Sequence, residues 1–77
     1  MQIDFQGHYY STIRASDLQR DGMSLEPSRD SVFVAEIFFS DVTREFVISL
    51  FDKDLPLPMI EQFIAEARTD LVPARES

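Results

Sequence analysis

The chain contains one histidine, and histidine is the side chain that most often carries proton transfer at neutral pH. His8 has Ser11, Ser16 and Asp17 nearby in sequence, which are the residue types of a hydrolytic triad. Such a triad requires its three groups to lie within hydrogen-bond distance of one another. Neighbouring residues of an extended segment instead point to opposite faces, and the chain has no nucleophile-elbow motif. We therefore predict no catalytic residues and no enzymatic activity.

A second candidate for chemistry is a pair of carboxylates, Asp52 and Asp54, separated by Lys53. In an extended loop both carboxylates would face one side, where oxygen ligands can bind a hard cation. The spacing lacks the further ligands and the glycine of a calcium-binding loop, and Lys53 offsets the charge. With one His, no Cys and two Gly, the chain has neither a zinc-ligand cluster nor a glycine-rich phosphate loop. The sequence predicts a polar turn here, with no metal and no cofactor.

Composition limits the possible partners. The 77 residues predict one small domain, residues 1–77, and 7 basic against 14 acidic residues give a net charge of −7. This charge disfavours nucleic acid and anionic membrane surfaces, and no apolar run approaches the ~20 residues that cross a bilayer. The first residues lack the segments of a signal peptide, so we expect a cytoplasmic protein. Because no disulfide can form, oligomerisation is the usual remaining way to stabilise so small a domain.

The elements that must position these residues include a clear β-hairpin. Residues 32–39 and 45–51 are rich in β-branched and aromatic types, and residues 40–43 supply polar turn chemistry. A turn centred on Asp41 and Val42 predicts a register in which one face of the hairpin is uniformly apolar. The predicted pairs on that face are Ile37 with Phe46, Ala35 with Ile48, and Phe33 with Leu50.

A C-terminal amphipathic helix is predicted over residues 57–71. Pro56 and Pro58 suit the start of a helix, and Pro73 ends it. At 100° per residue, the apolar side chains fall within one narrow stripe. The members of the stripe are Ile60, Phe63, Ile64, Ala67 and Leu71. We expect this helix to cover the apolar face of the hairpin, and residues 73–77 to fray.

The first thirty residues give weaker signals. Alternating apolar residues predict strands over residues 2–6 and 8–13, with a bulge or turn at Gln6 and Gly7. Ser16 and Gln19 match a capping box, which predicts a short helix or 3₁₀ turn over residues 17–21. A brief strand over 23–26 and a loop over 27–31 follow. The fold class is therefore α+β: a small antiparallel sheet of three to four strands, with one C-terminal amphipathic helix packed on one face.

The second face of the predicted sheet is more apolar than a solvated surface requires. Its apolar residues include four interface candidates: Val34, Phe38, Val47 and Phe51. Charge-poor, aromatic-rich patches are typical of the centres of protein interfaces. Two interpretations remain open. Either residues 2–13 fold over this face and complete the core, or another chain covers it.

These features predict a non-enzymatic protein–protein interaction module that acts as a homodimer through its apolar sheet face. A two-fold, self-complementary contact is the commonest form of such association. The partners are then a second copy of the chain and possibly another protein, without nucleic acid or membrane. The alternative is an acidic inhibitor or antitoxin-like protein that masks a basic surface of a partner, which the net charge of −7 favours.

Overall fold

The computed structural model describes residues 1–72, and it has an antiparallel sheet of six strands and one C-terminal helix. The strands are β1 (Gln2–Phe5), β2 (His8–Asp17), β3 (Gly22–Arg29), β4 (Val32–Phe33), β5 (Ala35–Ser40) and β6 (Phe46–Leu50), and the helix is α1 (Leu57–Asp70). The strand order is β1-β2-β3-β5-β6, and the short β4 also pairs with β3. The α+β prediction is confirmed, whereas three to four strands were too few. The predicted frayed tail, residues 73–77, lies outside the described residues.

Two tight turns explain part of the extra sheet. The predicted turn at Gln6 and Gly7 is confirmed, and both residues have positive φ angles, 51° and 81°. Asp30 and Ser31 form a second two-residue turn with φ angles of 51° and 70°. Positive φ at both central positions matches the right-handed twist of a hairpin. The predicted loop over 27–31 was therefore wrong, because its first residues continue β3 and only these two residues turn the chain.

Of the short helix or 3₁₀ turn predicted over residues 17–21, the helix does not form. β2 continues to Asp17, and residues 18–21 form a turn that leads into β3. The Asp17 carboxylate accepts a hydrogen bond from the backbone N–H of Arg20, at 3.1 Å. A side chain that satisfies the backbone locally competes with helix formation, so this contact stabilises a turn in place of a helical cap.

The hairpin of β5 and β6 forms, but its register differs from the prediction by two residues. Ile37 pairs with Ile48, and Ala35 pairs with Leu50. The loop is longer because the Ser40 hydroxyl accepts hydrogen bonds from the backbone N–H groups of Val42 and Thr43, at 3.2 and 3.1 Å. A shift of two residues leaves every side chain on its expected face of the sheet, since side chains alternate with a period of two.

Phe33 is an exception, because the strand is interrupted at Val34. The N–H of Val34 donates to the carbonyl of Pro27 at 3.0 Å, and Phe33 pairs with Ser28. This interruption shifts the pairing by one residue relative to β5, as a β-bulge does. Phe33 therefore lies on the face opposite to the one predicted.

α1 packs over the centre of the sheet. Its buried residues are Met59, Phe63 and Ala67. They pack with Leu71 and with four residues of the sheet, which are Tyr10, Leu25, Ile37 and Phe39. The helix is confirmed, but it does not cover the whole hairpin, and Ile64 of the predicted stripe is 37% exposed. Among the described residues, no helix has the length and apolar character needed to cross a membrane.

Candidate functional site

A run of exposed apolar residues lies at β6, which is an edge strand. Residues 46–51 read Phe-Val-Ile-Ser-Leu-Phe and carry no charge. Four of their large side chains are 43% to 61% exposed: Val47, Ile48, Leu50 and Phe51. An uncharged, apolar edge strand is a template on which another strand can pair.

The backbone of β6 is oriented for such pairing. The carbonyl of Glu45 accepts from Ser40, and the N–H of Phe51 donates to Val34, so the odd-numbered residues bond inward to β5. In an antiparallel ladder, the residues between them point their backbone groups outward. Phe46, Ile48 and Leu50 therefore present their N–H and C=O groups along the open edge of the sheet.

A shallow groove runs between this edge and the helix. Its lining is Ile37, Phe46, Val47, Ile48, Ile64, Ala67 and Arg68. The guanidinium of Arg68 lies 5.5 Å from the centre of the Phe46 ring and borders the groove with a cation. The groove has a volume of about 140 Å³. Small-molecule sites usually span roughly 300–1,000 Å³, so this groove is sized for one or two apolar side chains of another polypeptide.

The four predicted interface residues separate into two pairs. Val47 is 57% exposed and Phe51 is 61% exposed, so both are available to a partner. Val34 and Phe38 are buried within the chain itself, at 1% and 7% exposed. The interface remains a prediction. A partner that contacts Val47 and Phe51 would bury almost no surface of Val34 or Phe38, because the chain itself already covers both.

Phe38 is covered by a polar cluster on the side of the sheet away from the helix. The Arg20 guanidinium lies 4.2 Å from the centre of the Phe38 ring, and it donates to both oxygens of Glu36 at 3.1 and 3.0 Å. Arg20 also bonds the carboxylate of Asp17, and this hydrogen bond lowers the pKa of Asp17. The contacts with Glu36 and Asp17 raise the pKa of Arg20. The cluster fixes Arg20 over the ring, which is a cation–π arrangement.

His8 is placed far from the serines that would complete a triad. Its Nδ1 lies 2.6 Å from Oδ2 of Asp30, and both side chains are about half exposed. The backbone N–H of Tyr9 donates to the other oxygen of Asp30, and these two contacts, the backbone one being the larger, lower the pKa of Asp30. The pair ties the β1–β2 turn to the β3–β4 turn. Ser11 instead bonds Ser28, and Ser16 bonds the sulfur of Met23.

Asp52 and Asp54 lie in the connection between β6 and α1, as predicted. Asp52 forms an ion pair with Arg29 and accepts the backbone N–H of Lys53. Within residues 1–72, no group of three or more His, Asp or Glu side chains is placed to hold a metal ion. The structure therefore gives Asp52 a local role, because its ion pair with Arg29 anchors the connection to the end of β3.

Sequence reasoning missed three residues that define this open edge, namely Ile48, Leu50 and Ile64. All three were expected beneath or within the helix contact, yet they are 43%, 57% and 37% exposed. No local pattern marks them: they are exposed because one helix about 10 Å wide cannot cover a sheet whose strands lie about 4.8 Å apart once five strands stand side by side.

Comparison with known proteins adds no family to this geometry. No protein-family model matches the chain, and no curated protein or solved structure matches it significantly.

Proposed function

We propose that this protein is a non-enzymatic protein–protein interaction module that acts as a homodimer through the apolar surface at β6. The observation that carries the proposal is the exposure of Val47, Ile48, Leu50 and Phe51 on one uncharged edge. Burial of apolar surface is the main driving force of protein association, and interface centres are depleted of charge. We expect the dimer to work in the cytoplasm, where a cysteine-free chain is compatible with reducing conditions.

The size of the domain supports the same proposal. A chain of 77 residues without a disulfide buries a small core, and association is a common source of added stability for such domains. Phe46 packs against the core, but the other apolar side chains of β6 remain exposed, so a second copy would supply the cover that the helix does not. This changes the predicted surface, because Ile48 and Leu50 take the places of Val34 and Phe38 beside Val47 and Phe51.

The acidic-inhibitor alternative depends on the net charge of −7. Several carboxylates are already engaged within the chain. Asp17 and Glu36 contact Arg20, Asp52 contacts Arg29, and Asp70 lies 4.0 Å from Arg14. Carboxylates held in this way are less available to a basic partner, so the structure favours the homodimer over this alternative.

Sedimentation velocity over a range of about 1–200 µM tests the proposal, because a standard interface has a dissociation constant below this upper limit. We expect a concentration-dependent shift from monomer to dimer. Val47→Asp and Phe51→Asp should each weaken the dimer at least 10-fold, since each would place an unpaired carboxylate in an apolar contact.

Ile13→Asp is the matched control. Ile13 is 53% exposed, like Val47, but it lies on β2, and the substitution adds the same single charge. It should leave the dimer unchanged. A strict monomer at 200 µM would contradict the proposal, and so would a dimer that Ile13→Asp disrupts while Val47→Asp does not.

A further inference from the structure

Resting on the proposed homodimer, we infer that two copies pair their β6 strands antiparallel, edge to edge, about a two-fold axis at Ile48. The sheet then continues from one copy into the other, and both helices lie on the same face. The partner is a second copy of this chain, and the contact is formed by backbone hydrogen bonds together with the apolar side chains of the edge.

The register follows from matching the outward-pointing residues. When Ile48 of one copy lies opposite Ile48 of the other, Phe46 of each copy lies opposite Leu50 of the other copy. All three residues whose backbone groups point away from β5 then have an apolar partner on the helix side of the sheet. Centring the axis on Ser49 would place Phe46 opposite Asp52, and centring it on Val47 would place Leu50 opposite Arg44. With the axis at Ile48, every residue of β6 faces an uncharged residue, and the charged Glu45 lies opposite Phe51 just beyond the strand.

The charges that flank β6 also fit this register. Residues 44–53 carry Arg44 and Lys53 against Glu45 and Asp52, so this segment is neutral although the whole chain is −7. The axis at Ile48 brings Arg44 of one copy towards Asp52 of the other, although Asp52 already pairs with Arg29 of its own chain. The edge is therefore a neutral segment at which two acidic molecules approach with little repulsion.

The groove beside β6 accommodates the added contact. Ile48 and Phe46 line it together with Ile64 of the helix, and its volume is about 140 Å³. Side chains of the second β6 strand on the helix side of the sheet would extend into the space between the two helices. Burial of Ile48, Leu50 and Ile64 would complete the layer that α1 leaves open.

The opposite edge of the sheet does not offer the same contact. β1 has four residues, Gln2–Phe5, and it carries an exposed Asp4. The first hairpin pairs Phe5 with His8, so Gln2 and Asp4 are the β1 residues whose backbone groups point outward. A short edge with a charged residue resists strand addition. Pairing through β6 alone closes after two copies, because a two-fold contact uses the same edge of each molecule.

Cysteine cross-linking tests the register directly, since the chain has no native cysteine. Opposite residues of a hydrogen-bonded antiparallel pair have Cα atoms about 5.5 Å apart, within the range of a disulfide. Ile48→Cys should therefore form a disulfide-linked dimer under mild oxidation. Phe46→Cys and Leu50→Cys should not cross-link alone, because each would lie about 14 Å from its own copy, but a mixture of the two should form the mixed dimer. Asp4→Cys, on the exposed opposite edge, is the control for random collision.

Amide hydrogen exchange tests the same inference without substitution. The N–H groups of Phe46, Ile48 and Leu50 should exchange at least 10-fold more slowly at a concentration where sedimentation finds dimer than at one where it finds monomer. Those of Gln2 and Asp4 should exchange at one rate under both conditions. A dimer whose Ile48→Cys variant does not cross-link, and whose three β6 amides remain unprotected, would overturn this inference and leave the homodimer intact. A protein that stays monomeric would overturn both.

Discussion

The two edges of the sheet differ in how far the chain itself protects them. At β1, Ile3 and Phe5 are half-buried against the core, and they alternate with the exposed Gln2 and Asp4. At β6, every residue after Phe46 is exposed, and none is charged. One edge thus follows the usual alternation of buried apolar and exposed polar residues, and the other exposes apolar side chains on both faces.

This difference shows which part of the sequence is needed to fold one chain. The core uses β2, β3, β5 and α1, and the edge strand β6 contributes few buried atoms to it. The exposed apolar residues of β6 add little to the fold of one chain, so they are available for association. The covered centre and the open edge should therefore respond differently to substitution.

Two leucines on the same face of the sheet give the largest expected contrast. Leu25 is 0% exposed, and Leu50 is 57% exposed. Leu25→Ala should lower the free energy of unfolding by about 3–5 kcal/mol, because it leaves a cavity in a packed core. Leu50→Ala should lower it by less than about 1 kcal/mol under conditions where the protein is monomeric. Urea unfolding at low micromolar concentration measures both, and equal losses would contradict the division between centre and edge.

Two glycines test how tightly the centre is packed. A Cβ atom at Gly22 would lie 2.1 Å from the carbonyl oxygen of Phe39 and 2.6 Å from the ring of Phe38. Gly22→Ala should therefore destabilise the fold by about 2–3 kcal/mol, because the backbone must move. Gly7→Ala is the matched control, since nothing lies within 4 Å of a Cβ there and only its φ of +81° opposes alanine. Its cost should be about 1 kcal/mol, and thermal unfolding that ranks the two variants in the reverse order would contradict the packing argument.

Much of this architecture could be predicted from local signals. The pattern of residues 32–51 predicted the strands of the β5–β6 hairpin and the faces of their side chains, and the stripe in residues 57–71 predicted α1. The turn at Gln6 and Gly7 was found because glycine marks a positive φ. These elements were predictable because each is specified by residues close together in the sequence.

The errors arose where two local interactions competed or where the contact was distant. The capping-box residues Ser16 and Gln19 favour a helix, but Asp17 satisfies the backbone of Arg20 and keeps a turn. The turn at Asp30 and Ser31 has no glycine to mark it. The burial of Phe38 depends on Arg20, which is distant in sequence and reaches it through the pairing of β3 with β5. Exposure of β6 likewise follows from the number of strands, which no local pattern encodes.

The turn at Asp30 and Ser31 gives a third prediction, in comparison with the glycine-containing turn at the other hairpin. Ser31 has a φ of 70°, which costs a residue with a Cβ atom about 1–2 kcal/mol. Ser31→Gly should remove this cost and, after the greater freedom of glycine in the unfolded chain is counted, stabilise the fold by about 0.5–1 kcal/mol. The reciprocal variant Gly7→Ser should be destabilised. A fall in melting temperature for Ser31→Gly would contradict the strain at this position.

The smallest expected effect is a pH dependence at the same end of the sheet. The bonds from Tyr9 and His8 lower the pKa of Asp30 below its ordinary value of 3.8, so the folded state binds this proton less tightly than the unfolded state does. The resulting stabilisation is complete above about pH 5, and it is lost as the pH falls through 3.8 and below. Asp30→Asn preserves the positive φ but removes the carboxylate. The difference between the free energies of unfolding of this variant and the wild type should therefore narrow as the pH falls from 5 towards 2.5. Urea unfolding along this pH series measures the narrowing. Asp54→Asn, another exposed position with positive φ, is the control, and an equal narrowing there would refute the assignment to the contacts of Asp30.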